Sequence, residues 1–397
     1  MDTLISNVTA VTMNARMEVL FGAYIGITEG KISYIGKTAP EEQPATIIDG
    51  TGMVAIPGLI NCHTHLATTA LRSCFDDLSS REALENLLQK EAKMDSRCAK
   101  AAATLGIAEC LRFGITSVSD LYYFPEAVAE AAAESGIKAN IALSAVRFED
   151  ENEDYDFDAD PQYAKLKALV ETWNGHDNGR IRIDGGLYAE YTSNHPLWEG
   201  LSAWCAEQKL GLQLHLSQTA EETNSCLDRT GLTPAELLSC HGIFATPVTA
   251  AGCGALTEED MAVLGKKKVS AVALPIENAK AGTPSVPISK AVKAGINVAL
   301  GTGGAVECGN LDLFEVMRAA AFAERCRSEK PDAMPAPALL TMATVCGAWA
   351  QGRSDCGMLE EGMDADIALV DFSAPTSCPA TMCSAAWCSL PRAAMWP

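Results

Sequence analysis

The chain has 397 residues, 48% hydrophobic and 20% charged, enough for one large globular unit of about 250 residues and a smaller companion. Its 51 acidic against 30 basic side chains leave a formal net charge of −21, which opposes nucleic acid and anionic membrane surfaces, because both need a Lys/Arg face. The 15 cysteines are odd in number and contain no Cys-x-x-Cys pair. With no basic, then apolar leader at the N-terminus and no apolar run of membrane-spanning length, they read as buried thiols in a reducing cytoplasm.

Residues 1–56 carry β-type patterning. The β-branched runs 23–28 and 31–35, joined at Glu29-Gly30, spell a hairpin. Ile47-Ile48 continues the pattern, and no long amphipathic helix precedes residue 80. From Val54 the character changes. An apolar run over 55–62 ends in His63-Thr64-His65, and helical periodicity follows over 81–93 and 95–113. Strands are then predicted over 115–121, 138–146, 181–188, 211–216, 249–255, 269–274 and 296–301. Helices fall between them, over 125–135, 162–173, 197–209, 233–241, 258–266 and 287–294, with a last one over 313–323.

Eight strands each followed by a helix predict a parallel sheet, and that number of repeats predicts closure into a (β/α)8 TIM barrel. An open doubly wound sheet usually carries a glycine-rich phosphate loop after its first strand; here that place holds two histidines. Residues 340–397 return to short β-like pieces, with a turn over 362–366 and a strand over 367–370. These are expected to join the N-terminal strands in a small β-sandwich domain. The expected division is 1–56 and 346–397 for that domain and 57–345 for the barrel. The acidic stretch 151–160 reads as a solvated loop.

Barrels of this kind gather their chemistry at the C-terminal ends of the strands. Three of the six histidines, His63, His65 and His215, are predicted there. A lone histidine at a strand end is ordinarily a hydrogen-bonded core residue. Two histidines spaced by two share one face of a strand; with a third ending a later strand they point to one metal site, and neutral imidazole suits zinc, iron or nickel.

The stretch from Pro57 to His65 resembles the opening motif of the amidohydrolase superfamily, and more narrowly its cytosine-deaminase-like branch of chlorohydrolases and S-adenosylhomocysteine, methylthioadenosine and guanine deaminases. The resemblance runs through Gly30-Lys31-Ile32, Ile48-Asp49-Gly50, Leu71-Arg72 and Asp76-Asp77-Leu78. It continues through 187–192, 214–217, 256–260, 298–302 and 362–368. It implies one Zn2+ or Fe2+ held by His63, His65 and His215. The implied reaction is hydrolytic deamination of a cyclic purine-, pterin- or triazine-like small molecule by metal-activated water. A homo-oligomer is also implied, because relatives often assemble.

In that branch a glutamate three residues after the fifth-strand histidine, a sixth-strand histidine and an eighth-strand aspartate complete the catalytic set. The matching positions here are Gln218, Gly252 and Gly303, none of them ionisable. General acid–base groups contribute about 10²–10⁴-fold each, so a second reading stands beside the first: a degenerate relative that keeps the barrel, with or without the metal, but not the turnover. Glu307, Cys308 and Cys253 lie nearest the altered positions and are the candidate substitutes. The resemblance also makes Glu91 a substrate contact, with an exposed helix glutamate as the alternative, and its loop position makes Glu190 another. Asp120 is as well explained as a structural acceptor, and His176, His195 and His241 as surface or helix-end residues. A metal-free lyase or isomerase barrel using the histidines as acid–base groups is a third reading, which the whole-chain resemblance disfavours.

Overall fold

Alternating apolar positions near the N-terminus form β1 (Thr3–Val11), β2 (Val19–Thr28), β3 (Lys31–Gly36), β4 (Thr46–Asp49) and β5 (Met53–Pro57). The chain is described here by a computed structural model over residues 1–74, 76, 78, 80–146 and 156–372. Asp77 of the motif above, part of the acidic loop (151–155) and the tail after 372 lie outside the described residues. A late strand, β15 (Ile367–Asp371), lies antiparallel against β5, so both ends of the chain share one six-stranded sheet in the order β15-β5-β1-β2-β3, with β4 on β1. Ile5, Val8, Ala23, Ile25, Ile32 and Leu359 bury one face of it.

The second sheet begins with β6 (Leu59–His65), β7 (Ile115–Tyr122), β8 (Lys138–Leu143) and β9 (Ile181–Leu187). It goes on with β10 (Leu212–Leu216), β11 (Val248–Gly252), β12 (Ser270–Ala273) and β13 (Asn297–Leu300). All of these run parallel in sequential order, and they are the eight strands expected from the periodicity. The eighth is interrupted. After Gly301-Thr302 the chain makes a two-residue strand, β14 (Gly303–Gly304), which pairs with Thr64 and His65 of β6 and closes the barrel. A Cβ on Gly301 would stand 3.0 Å from the backbone nitrogen and Cβ of His63, so the crossing tolerates no side chain there. Asn61 locks the junction: its amide donates to Thr302 Oγ1 at 2.8 Å, and its carbonyl accepts from Thr302 N at 3.1 Å.

Helices clothe the barrel, and their starts are written in the sequence. Asp95 caps the helix Ser96–Arg112, and capping boxes at Thr233/Glu236 and Thr257/Asp260 open two others. Residues after the helix Val345–Ala350 hydrogen-bond to the barrel strands. Gln351 accepts from Ser117 and donates to Ser119, and Arg353 donates to Ala139 O and Arg180 O.

Lys138, the first residue of β8, is 7% exposed and sits between Asp364 (2.7 Å) and Asp366 (2.5 Å), on the turn that leads into β15. It ties the barrel to the small sheet. Lys138→Met leaves two facing carboxylates without their buried cation. We expect a loss of about 1–3 kcal/mol, read by chemical denaturation, because both carboxylates keep some contact with water.

Candidate metal centre

Asp120 fixes the backbone that presents the first two histidines. Its carboxylate is fully buried on β7 and accepts from Thr64 Oγ1 at 3.0 Å and from Leu66 N at 2.7 Å, on either side of His65. Burial pushes its pKa up to about 6, against the pull of those hydrogen bonds. Of its two expected roles, the contacts made are those of a structural acceptor, and its Oδ1 has no hydrogen-bond partner.

The rings are held by backbone carbonyls. Nδ1 of His65 lies 2.7 Å from Leu121 O, and Nδ1 of His215 lies 2.8 Å from Tyr188 O. A carbonyl only accepts, so both Nδ1 atoms carry the proton and both Nε2 atoms present a lone pair. His63 Nε2 faces His215 Nε2 at 3.1 Å, and ligand atoms of all three rings lie within 4.8 Å of one another. His63 and His215 are 3% and 4% exposed. Burial, then the neighbouring imidazoles, holds His63 well below the ordinary histidine range, and burial followed by His65 lowers His215 to about 3. Three imidazoles converging on one point, two of them with their remote nitrogens anchored, fit one divalent ion.

Around this cluster stand side chains that the sequence did not single out. Tyr188 packs at 4.9 Å from the His215 ring and Tyr122 at 6.3 Å from that of His65. Both follow or end barrel strands, which was the available signal. Glu91 is buried, not on an exposed helix face; it accepts from Tyr122 at 2.6 Å, and burial raises its carboxyl within reach of the charges of His65 and Glu307. Glu190 is 1% exposed and paired with Arg229 at 2.5 Å, with its second oxygen unpartnered. His195 stacks on His241 and His176 packs on Trp173, all outside the cluster.

The three altered positions are filled in particular ways. Glu222 accepts from the backbone nitrogens of Ser217 (3.0 Å) and Gln218 (2.7 Å), and the Gln218 side chain occupies the space beside Gly252. A Cβ on Gly252 would stand 2.4 Å from Gln218 Cγ, on a backbone with φ +93°. At Gly303, φ is +70° and a Cβ would stand 2.1 Å from Oε2 of Glu277. Such φ values suit glycine and strain any other residue. Cys253 and Cys308 face the backbone carbonyls of Ala250 and Gly304, and burial raises both thiols. Glu277 was not foreseen, although a glutamate just after the seventh barrel strand was there to be read.

The profile of the amidohydrolase family matches residues 54–393. A 5-methylthioadenosine/S-adenosylhomocysteine deaminase from Acetivibrio thermocellus is 34% identical, over 96% of this chain and 88% of that protein. A 5'-deoxyadenosine deaminase from Methanosarcina mazei is 33% identical, over 95% and 86%. Among solved structures, a zinc-bound adenosine deaminase from Xanthomonas campestris superposes with a TM-score of 0.91 at 26% identity, covering 100% of this chain and 91% of that one. The zinc complex of an atrazine chlorohydrolase from Arthrobacter aurescens superposes with 0.89 at 26% identity, covering 97% and 91%.

If the three rings share one ion, His63→Ala and His215→Ala each reduce bound zinc from about one per chain to a small fraction. Elemental analysis after gel filtration reads this, with circular dichroism to check that the barrel is intact. Full metal content in both variants would show that the ion sits elsewhere.

Proposed function

The chain belongs to the amidohydrolase family, and from that premise we propose that it is a divalent-metal hydrolase that deaminates a cyclic amidine, an adenosine-type purine before a pterin or triazine. The observation that carries this reading is the convergence of three imidazoles at the mouth, where the first and fifth barrel strands end. A bound ion supplies an activated, fixed water at neutral pH. Zinc is favoured over iron by the zinc-bound structural neighbours, and the purine by the named activities of the relatives.

The protein's own residues do the rest. Leu121 O and Tyr188 O orient two of the rings through their Nδ1 protons. Tyr122 and Tyr188 stand beside the histidine rings, and Glu91, held by Tyr122, is an acceptor for hydroxyl groups of a ligand. In the same reading Glu190 contacts substrate from the loop after β9. A reducing cytoplasm suits the free thiols found among the described residues, where no helix is long and apolar enough to cross a membrane. Assembly as a homo-oligomer belongs to the same reading.

A second reading has its own support. Gly252, with Gln218 in the space beside it, leaves no imidazole to polarise the attacked carbon. That favours a relative that binds metal and ligand without turning over.

The two readings separate in one assay. Zinc-loaded and chelator-treated protein are given adenosine, 5'-deoxyadenosine, S-adenosylhomocysteine, guanine and a pterin, and ammonia release is followed. The first reading expects ammonia from a purine, lost with the metal and restored by it. Stoichiometric zinc without ammonia from any compound selects the second, and a chain that holds no metal and releases no ammonia removes the first together with the histidine metal site.

A further inference from the structure

Two carboxyl groups that the mechanism above does not use converge on the barrel's closing strand. Glu277 lies on the short helix Pro275–Ala281 after the seventh barrel strand, and Glu307 on Ala305–Cys308 after the eighth. The Oε2 atom of each is buried and has no hydrogen-bond partner. Both are aimed at adjacent glycines: Glu277 Oε2 is 2.1 Å from where a Cβ on Gly303 would stand, and Glu307 Oε2 is 2.2 Å from that of Gly304. Those glycines pair with Thr64 and His65, so both carboxyl groups lie along the strand pair that carries the second candidate ligand. A side chain at 303 and the carboxylate of Glu277 exclude each other. The glutamate fills the root of the side chain that the eighth strand lacks.

Burial, and then the charge of Glu307, raises Glu277; burial also raises Glu307, against the pull of Lys280. Two buried carboxyl groups set against neighbouring residues of one strand do not both ionise readily. The ionisable groups facing them are Lys280 and Cys308 on their own helices, and Glu91 and Tyr188 across the mouth. Lys280 is partly engaged with Asp76 and with Val306 O.

We propose that Glu277 and Glu307 form one proton-holding site that takes over the acid–base work of the eighth-strand aspartate replaced by Gly303. Its catalytic use rests on the deaminase reading. As the water oxygen bonds to the ring carbon, the ionised carboxylate takes a proton from that water and its protonated partner gives one to the ring nitrogen. The pair then protonates the exocyclic nitrogen, and the C–N bond breaks with its electrons leaving on ammonia. The hydroxyl proton returns to the pair, which ends with the single proton it began with. Water is consumed, and a ring carbonyl and ammonia are formed.

The zinc-loaded protein and its Glu277→Gln, Glu307→Gln and doubly substituted forms test this, since glutamine keeps the shape and removes the proton site. The infrared difference between wild type and the double variant at neutral pH is expected to show the C=O stretch of a protonated carboxyl; matching spectra overturn the proposal. Each single variant is expected to keep its zinc and lose about 10²–10⁴-fold in the rate of ammonia release, with an altered pH profile. A double variant that keeps the wild-type rate also overturns the proposal and leaves the deaminase reading standing. The exchange Glu277→Ser with Gly303→Asp is expected to regain at least about tenfold over Glu277→Ser alone, since the carboxylate returns from the strand. The infrared band without ammonia from any wild-type assay sinks the deaminase reading and supports the proton-holding pair.

Discussion

The junction between Asn61 and Thr302 is the constraint on which the site depends. It joins the first barrel strand to the chain just after the eighth, and it brings the two glycines of the closing strand into register with Thr64 and His65. Without that closure the histidine pair would end an open sheet edge and His215 would have no fixed partner. With it, two imidazole nitrogens from opposite parts of the chain meet at 3.1 Å. The cost is steric. The crossing is so tight that Gly301 and Gly303 have no room for a Cβ, and the groups that serve the mouth must come from neighbouring loops.

Much of this was legible in the sequence. Period-two apolar runs separated by helical stretches located all eight barrel strands, and the spacing of His63 and His65 placed them on one face. What stayed hidden was whatever depends on proximity between distant segments. Glu277 reads as one more surface glutamate until closure sets it against Gly303. Glu91 carries a helical, solvent-facing pattern, yet Tyr122 and burial take it into the mouth. Gln351 and Arg353 sit in a segment with β-like composition, and only the fold turns their polar ends onto the barrel strands.

The altered catalytic positions look like plain losses when read one at a time. In space each is half of a complementary pair. Gln218 fills what Gly252 vacates, and Glu277 fills what Gly303 vacates. Gln218, Gly252 and Gly303 carry no ionisable group, and a buried carboxyl oxygen of Glu277 stands against Gly303. A site that had merely decayed would have no reason to bury two carboxyl oxygens without partners, since each such group is costly unless something compensates it.

The left-handed backbone at Gly252 and Gly303 gives this arrangement a direction in time. A single base change that enlarges residue 303 meets both a strained backbone and an occupied space, so it is penalised before it can be of use. Glu277 has to shrink or swing aside first, and either step moves a carboxylate that now lies against the closing strand. Any path back to an eighth-strand aspartate therefore crosses a valley of poorer proteins. The present constellation is a ratchet, held in place by geometry whatever the merits of the alternative.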